Sequence, residues 1–179
     1  MNILIVVDMQ KDFVDGALGT PEARAIVPAV VDKINAYKAR GDRIIATRDT
    51  HGEDYLSTQE GKNLPVVHCV KGTPGWELDA AVAEALPADA EIVDKPTFGS
   101  VRLAELIGRY AEGFGQENVH VELIGLCTDI CVVSNALLLK AVFHEIPLSL
   151  DPRCCAGVTP EKHAAAIETM RSCQIQIIE

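Results

Sequence analysis

The chain has 179 residues, enough for one domain with a sizeable core. Apolar residues make up 48% of it, which excludes a disordered chain and predicts a packed interior. Acidic residues outnumber basic ones, 26 to 16, and the formal net charge of -10 argues against nucleic acid or any other phosphate-backbone partner.

The opening MNILIVVD holds an apolar run, Ile3 to Val7, that stops at Asp8. It has no basic flank and is too short to span a bilayer, so neither a signal peptide nor a membrane partner is expected, and a cytoplasmic location is. Six cysteines without a CxxC then read as free thiols in a reducing compartment, with Cys69, Cys154, Cys155 and Cys173 as small buried hydrophobes. The run 3–7 itself predicts a strand buried on both faces. Ile26, Val27, Val30, Val31, Ile34 and Tyr37 recur at helical spacing, and Gly41 marks a stop. Residues 43–47 (RIIAT) form the next predicted strand. From 48 to 77 the chain is polar and poorly periodic, with one short strand expected at 65–68. Helix 78–86, strand 91–93, helix 101–110, strand 119–124, helix 129–143, strand 147–150, helix 160–171 and strand 174–178 follow. This alternation predicts a single-domain, doubly wound (Rossmann-like) α/β fold: a mostly parallel sheet with helices on both faces.

Open α/β sheets place their sites beyond the carboxyl ends of the strands. Asp8 ends the first strand, Asp49 and His51 follow the second, Asp94 and Lys95 follow 91–93, and Cys127 to Cys131 follow 119–124. Four strands thus send titratable groups to one edge. Thr128 as an N-cap would set Cys131 at the third helical position, where the helix end favours a thiolate and free N–H groups can hold an oxyanion. Asp8 would accept the thiol proton, its pKa raised by apolar walls, with Lys95 nearby favouring the thiolate. Taken singly, a packed cysteine, a capping aspartate and a solvated lysine are the other readings. Asp49, His51 and His68 make a reasonable open metal site, solvated loop histidines being the alternative.

Three segments carry a resemblance. Asp8-Met9-Gln10-Lys11-Asp12-Phe13, Asp94-Lys95-Pro96-Thr97-Phe98 and Gly125-Leu126-Cys127-Thr128-Asp129-Ile130-Cys131-Val132 resemble the motif regions of the isochorismatase-like cysteine hydrolases. Ala156 to Glu161, followed by His163, is similar to that family's closing loop and helix. The resemblance implies the isochorismatase-like hydrolase fold and an Asp8–Lys95–Cys131 triad. It also implies a cis peptide before Cys127 and an oxyanion hole from the N–H groups of Cys127 and Cys131. Asp49-x-His51 and the segment from His68 to Gly75 resemble the metal-binding portion of the nicotinamidase/pyrazinamidase branch. That branch implies a divalent ion at Asp49, His51 and His68, zinc foremost, with iron and manganese also suited to these donors. It implies a small-molecule amide as substrate and a homo-oligomer as the assembly. Some nicotinamidases have a further histidine where this chain has Leu56 and Ser57, and many have a tryptophan before the third ligand where it reads Leu64-Pro65-Val66-Val67. Phe13 and Phe98 are then the candidate substrate-binding rings, with Trp76 a possible third. The expected activity is nicotinamide hydrolysis through a cysteine thioester. The alternatives are another amide or carbamoyl hydrolase of the family, and a non-catalytic α/β protein that binds a small ligand. The absence of GxGxxG after the first strand speaks against the last.

Overall fold

The computed structural model describes residues 1–178. Six strands, β1 (Asn2–Val7), β2 (Arg43–Asp49), β3 (Glu91–Lys95), β4 (His120–Leu126), β5 (Leu148–Ala156) and β6 (Gln176–Ile177), form one sheet. Their order is β3-β2-β1-β4-β5-β6, and every pair is parallel. Central β1 is fully buried from Ile3 to Val7, the reason its sequence is an unbroken apolar run rather than an alternating one.

The helices are α1 (Lys11–Val14), α2 (Pro21–Arg40), α3 (Gln59–Asn63), α4 (Ala80–Ala85), α5 (Val101–Phe114), α6 (Val133–Val142) and α7 (Pro160–Ser172). The chain winds outward from β1 to β3, then crosses back to β4 and winds the other way. Right-handed crossovers therefore place α2 and α4 on one face and α5, α6 and α7 on the other. The packing of α2 on α4, α5 on α6 and α6 on α7 agrees. The winding reverses between β1 and β4, the place where such sheets open a crevice at their carboxyl edge. Among the described residues no helix is long and apolar enough to cross a membrane.

Several boundaries differ from expectation for local reasons. Helix α2 starts ahead of its apolar stripe because Thr20 Oγ1 accepts the Ala23 N–H at 3.0 Å and Pro21 occupies the first helical position. Residues 65–68 form no strand: Pro65 has no N–H, the Val66 N–H turns back to the Leu64 carbonyl, and the pairing nearby is an isolated bridge between His51, just past β2, and Val70. Strand β5 runs past Pro152 because the β4–β5 ladder slips there, Leu123 facing Leu150 and Gly125 facing Cys155. The bulge absorbs the missing proline donor. Half-buried Lys33 of α2 bridges Glu122 of β4 and Asp151 of β5 at 2.7 and 2.8 Å, tying that helix to the sheet.

Candidate active site

At the carboxyl edge β1 delivers Asp8, β3 delivers Lys95, and the turn after β4 delivers Cys131. Lys95 Nζ lies 2.6 Å from Asp8 Oδ2, 3.3 Å from Cys131 Sγ and 3.4 Å from Asp49 Oδ1. It also donates to the Thr97 carbonyl at 3.1 Å. Neither Asp8 nor Lys95 has any exposed surface. Thr47 of β2 donates its hydroxyl to Asp8 Oδ1 at 2.6 Å and accepts the Asp8 N–H at 3.2 Å. Asp8 has φ of +47°, a conformation that turns its carboxylate off the strand end.

Burial raises the Asp8 pKa, the Lys95 ammonium offsets part of that rise, and the neighbouring Asp49 charge adds to it. Burial works against the Lys95 charge, yet Asp8, Cys131 and Asp49 around it lift its pKa above the ordinary value. Desolvation first, then the Asp8 charge, pushes the Cys131 thiol well above its usual range, against the pull of Lys95. This reverses the expectation of a helix-stabilised thiolate. A helix end is worth under about 1 kcal/mol, whereas taking an ion fully out of water costs several kcal/mol even after relaxation. Burial wins. Geometry sets Lys95 Nζ 2.6 Å from the Asp8 carboxylate and 3.3 Å from the Cys131 sulfur, with a proton acceptor close to the thiol.

The turn that carries Cys131 is not the α-helical N-terminus read from the sequence. Thr128–Val132 form a π-helical turn that leads into α6, and Cys127, not Thr128, stands at its cap position without a side-chain cap. Thr128 Oγ1 pairs instead with His163 Nδ1 of α7 at 2.8 Å. The N–H groups of Ile130 and Val132 both donate to the Cys127 carbonyl, at 3.0 and 3.1 Å, passing over the Cys131 N–H between them. The Leu126–Cys127 peptide is cis. The Cys127 thiol, pushed to about 12 by burial and by Asp129, stays protonated. Gly125 has φ of +117°, and a Cβ there would sit 2.1 Å from the Val7 carbonyl oxygen. Only glycine lets β4 approach β1 so closely before the turn. Asn135 of α6 then braces the turn, donating to the Cys131 and Phe98 carbonyls and accepting the Ser100 N–H.

A second cluster adjoins the first. Asp49, His51, Glu60 and His68 each offer a ligand atom, all within 4.8 Å of one another. Asp49 Oδ2 is 2.9 Å from His51 Nε2 and 3.6 Å from His68 Nε2, and Glu60 Oε1 is 3.6 and 3.9 Å from the same two nitrogens. His51 Nε2 is buried with no partner at hydrogen-bonding geometry despite its short distance to Asp49. His68 Nδ1 meets the Val66 carbonyl at 2.7 Å, which fixes it as the N–H and leaves Nε2 as the free lone pair. Burial opposes the Asp49 charge, but the adjoining His51 and His68 rings and the Lys95 charge hold its pKa below the usual carboxylate range. An orphaned imidazole nitrogen, a second aimed beside it and two carboxylates suit a divalent cation. Glu60 was not legible in the sequence. It belongs to α3, whose first turn is capped by Thr58 Oγ1 on the Gly61 N–H, and that turn swings one loop carboxylate back over His51.

Both clusters open onto one cavity of about 240 Å³, lined by Phe13, Leu64, Phe98, Leu126, Ile130 and Val158 together with Asp49, Glu60, His68 and Cys131. Phe13 is buried in its wall and Phe98 is 41% exposed at its rim. Trp76 does not line this cavity. Its indole donates to Thr50 Oγ1 at 2.9 Å, and the Arg48 guanidinium stacks 3.6 Å from its ring centre, which holds the ring behind β2. A larger cleft of about 360 Å³ at the opposite, amino-terminal ends of the strands is lined by residues such as Asn2, Arg43 and Tyr110. It contains neither cysteine nor histidine, so the chemistry belongs to the smaller cavity.

The comparison with known families decides the lineage, because the Isochorismatase domain matches residues 2–179. The chain belongs to the isochorismatase family. Its relatives place it on the nicotinamidase/pyrazinamidase branch of that family. The nicotinamidase of Schizosaccharomyces pombe is 28% identical over 209 residues, a match covering 98% of this chain and 91% of that protein. The nicotinamidase/pyrazinamidase of Mycobacterium tuberculosis is 29% identical, with 99% of this chain and 98% of that one covered. Among solved structures, the pyrazinamidase of Pyrococcus horikoshii in complex with zinc superposes with a TM-score of 0.80 at 35% identity, covering 99% of this chain and 98% of that one. This isochorismatase-family chain is a hydrolase, and cysteine dependence is in keeping with the family.

Proposed function

We propose that this hydrolase cleaves a small carboxamide, nicotinamide foremost, to the acid and ammonia through a thioester on Cys131. The observation that carries the reading is Lys95 Nζ, set between Asp8 and Cys131, with Cys131 lining an apolar cavity that Asp49, Glu60 and His68 of the metal-type cluster also line. The relatives named above support the choice of substrate. The same reading takes residues 1–179 as one domain that works in the cytoplasm, where six free thiols persist, and as a homo-oligomer.

In the first half-reaction the Cys131 proton passes to Asp8 as Sγ bonds to the carboxamide carbon. The carbonyl oxygen becomes an oxyanion facing the N–H groups of Cys127 and Cys131. Asp8 then gives its proton to the departing nitrogen, the C–N bond breaks, and ammonia leaves a thioester. In the second half Asp8 takes a proton from water, the resulting hydroxide adds to the thioester carbon, and the C–S bond breaks. The acid is released and the sulfur recovers its proton. Lys95 stays protonated throughout and holds the Asp8 carboxylate against its own desolvation. Asp49, His51, Glu60 and His68 would hold the divalent ion, which when bound supplies a Lewis-acid anchor for a ring nitrogen of the substrate. Phe13 and Phe98 would flank the ring.

The test is ammonia release from nicotinamide before and after chelation. Release that is lost on chelation and returns with zinc, iron or manganese is expected; no release with any metal would remove nicotinamide as the substrate. A second reading, another amide or carbamoyl hydrolase, gains from two features: no tryptophan precedes His68, and Trp76 is held away from the cavity. Profiling carboxamides and carbamoyl compounds on the metal-loaded protein separates the two.

The Asp8 environment gives a pH prediction. The Thr47 hydroxyl favours the charged carboxylate. Thr47→Val removes that hydrogen bond, so the Asp8 pKa rises further and the acid limb of the kcat/KM profile moves to higher pH. The limb belongs to the coupled site rather than to Asp8 alone. An acid limb that stays put, or moves to lower pH, would contradict Asp8 as the proton acceptor.

A further inference from the structure

The segment Asp8-Met9-Gln10-Lys11-Asp12-Phe13 supplies Asp8 to the Lys95 ion pair and Phe13 to the cavity wall, which leaves Gln10 and Asp12 without a part in the reaction. Both are aimed at the backbone of the metal cluster. Gln10 is fully buried. Its Oε1 accepts the Asp49 N–H at 2.7 Å, and its Nε2 donates to the Asp49 carbonyl at 2.8 Å and to the Trp76 carbonyl at 2.8 Å. Asp49 is the last residue of β2, paired with Lys95 of β3 on one side. On its other side β1 has already ended, its ladder to β2 running only from Ile3 to Val6. The Gln10 carboxamide exchanges one N–H and one C=O with Asp49, as a peptide of the missing strand would. Asp12 does a similar service one loop away. Its Oδ2 accepts the Cys69 N–H at 2.8 Å, next to His68, at a residue with φ of +47°. Its own N–H donates to the Gly75 carbonyl at 3.0 Å, and a Cβ on Gly75 would fall 2.2 Å from the Asp12 carboxylate. Only glycine admits that contact.

We propose that Gln10 and Asp12 are positioning residues of the metal site, fixing the backbone at Asp49 and beside His68 and so setting the affinity for the ion without touching ion or substrate. The inference rests on the reading of Asp49, His51, Glu60 and His68 as metal ligands. A ligand carboxylate or imidazole can be held to a useful geometry only if the backbone beneath it is held, and here one buried and one half-buried side chain of one short motif do the holding. It also explains how a motif at the end of β1 constrains ligands that come from β2 and the loop after it.

The experiment strips the purified protein with a chelator and titrates Zn²⁺ alone against a chromogenic competitor, for the parent, Gln10→Glu and Asp12→Ala. Loss of partners behind metal ligands costs roughly 10–100-fold in affinity, and each variant should fall in that range. Thermal unfolding of each metal-free protein separates positioning from simple structural damage, since positioning lowers zinc affinity in a variant that still unfolds cooperatively. Excess zinc should then recover most of kcat. Zinc affinity within about twofold of the parent in both variants, inside the scatter expected for groups with no role, would overturn the inference while leaving the metal site intact. A parent that binds no zinc would remove the metal site and the inference together. Should Gln10→Glu fail to fold, Asp12→Ala, which removes the acceptor of the Cys69 N–H from a part-buried position, decides the matter.

Discussion

Cys131→Ala is expected to leave a folded protein whose carboxamide turnover is lower by at least about 10⁴-fold. The side chain is 4% exposed, and the change removes one sulfur atom from the cavity wall. Its stability cost should therefore be small, about 1 kcal/mol. The chemical cost is large because nothing else near Lys95 can take its place. Lys95 Nζ lies 3.3 Å from the Cys131 sulfur and makes no such contact with Cys127. Cys131→Ser should fare little better, since Asp8 would have to accept a proton from an alcohol. The measurements are ammonia release and, in the parent, mass spectrometry of a rapidly quenched slow substrate, which should place an acyl group on Cys131. Full turnover by Cys131→Ala, or acylation elsewhere, would end the thioester mechanism.

How much of this was legible in the chain depends on the range of the interaction involved. Strand β1 and the arrival of Asp8 at its end could be read because burial on both faces demands an unbroken apolar run and because parallel strands share one carboxyl edge. Lys95 and the turn around Cys131 followed from the same rule. What escaped was set by side chains meeting across elements. Thr128 looked like a helix cap, the usual role of a threonine before an apolar helix, but α7 brings His163 to its hydroxyl. Glu60 was one carboxylate among several in a polar loop, and only the short helix α3 turns it toward His51. Trp76 was free to face the cavity until Arg48 and Thr50 are seen to hold it elsewhere. The thiol's protonation state was misjudged because a sequence shows the helix end but not the completeness of burial around Cys131.

Lys95→Met is expected to be both inactive and markedly less stable, by about 3–5 kcal/mol, the range for removing one partner of a buried ion pair. The ammonium is fully buried and faces Asp8 and Asp49, which are themselves 0% and 2% exposed. Without it two carboxylates stand in a dry site with no cation between them. Asp49 keeps the His51 and His68 rings beside it, so it remains the charged one. Asp8 escapes by taking a proton, since burial already raises its pKa and the loss of Lys95 raises it further. The sign of the pH dependence follows. A carboxyl group whose folded pKa is raised stabilises the fold most when protonated, and that contribution is lost as pH rises through the folded pKa. The deficit of Lys95→Met relative to the parent should therefore be smaller at pH ~5 than at pH ~8 in urea unfolding. A protonated Asp8 also cannot accept the Cys131 proton, so the condition that rescues stability does not rescue turnover. Stability equal to the parent at both pH values would mean that Lys95 does not carry the charge balance of the site. A variant that stayed active would take it out of the triad.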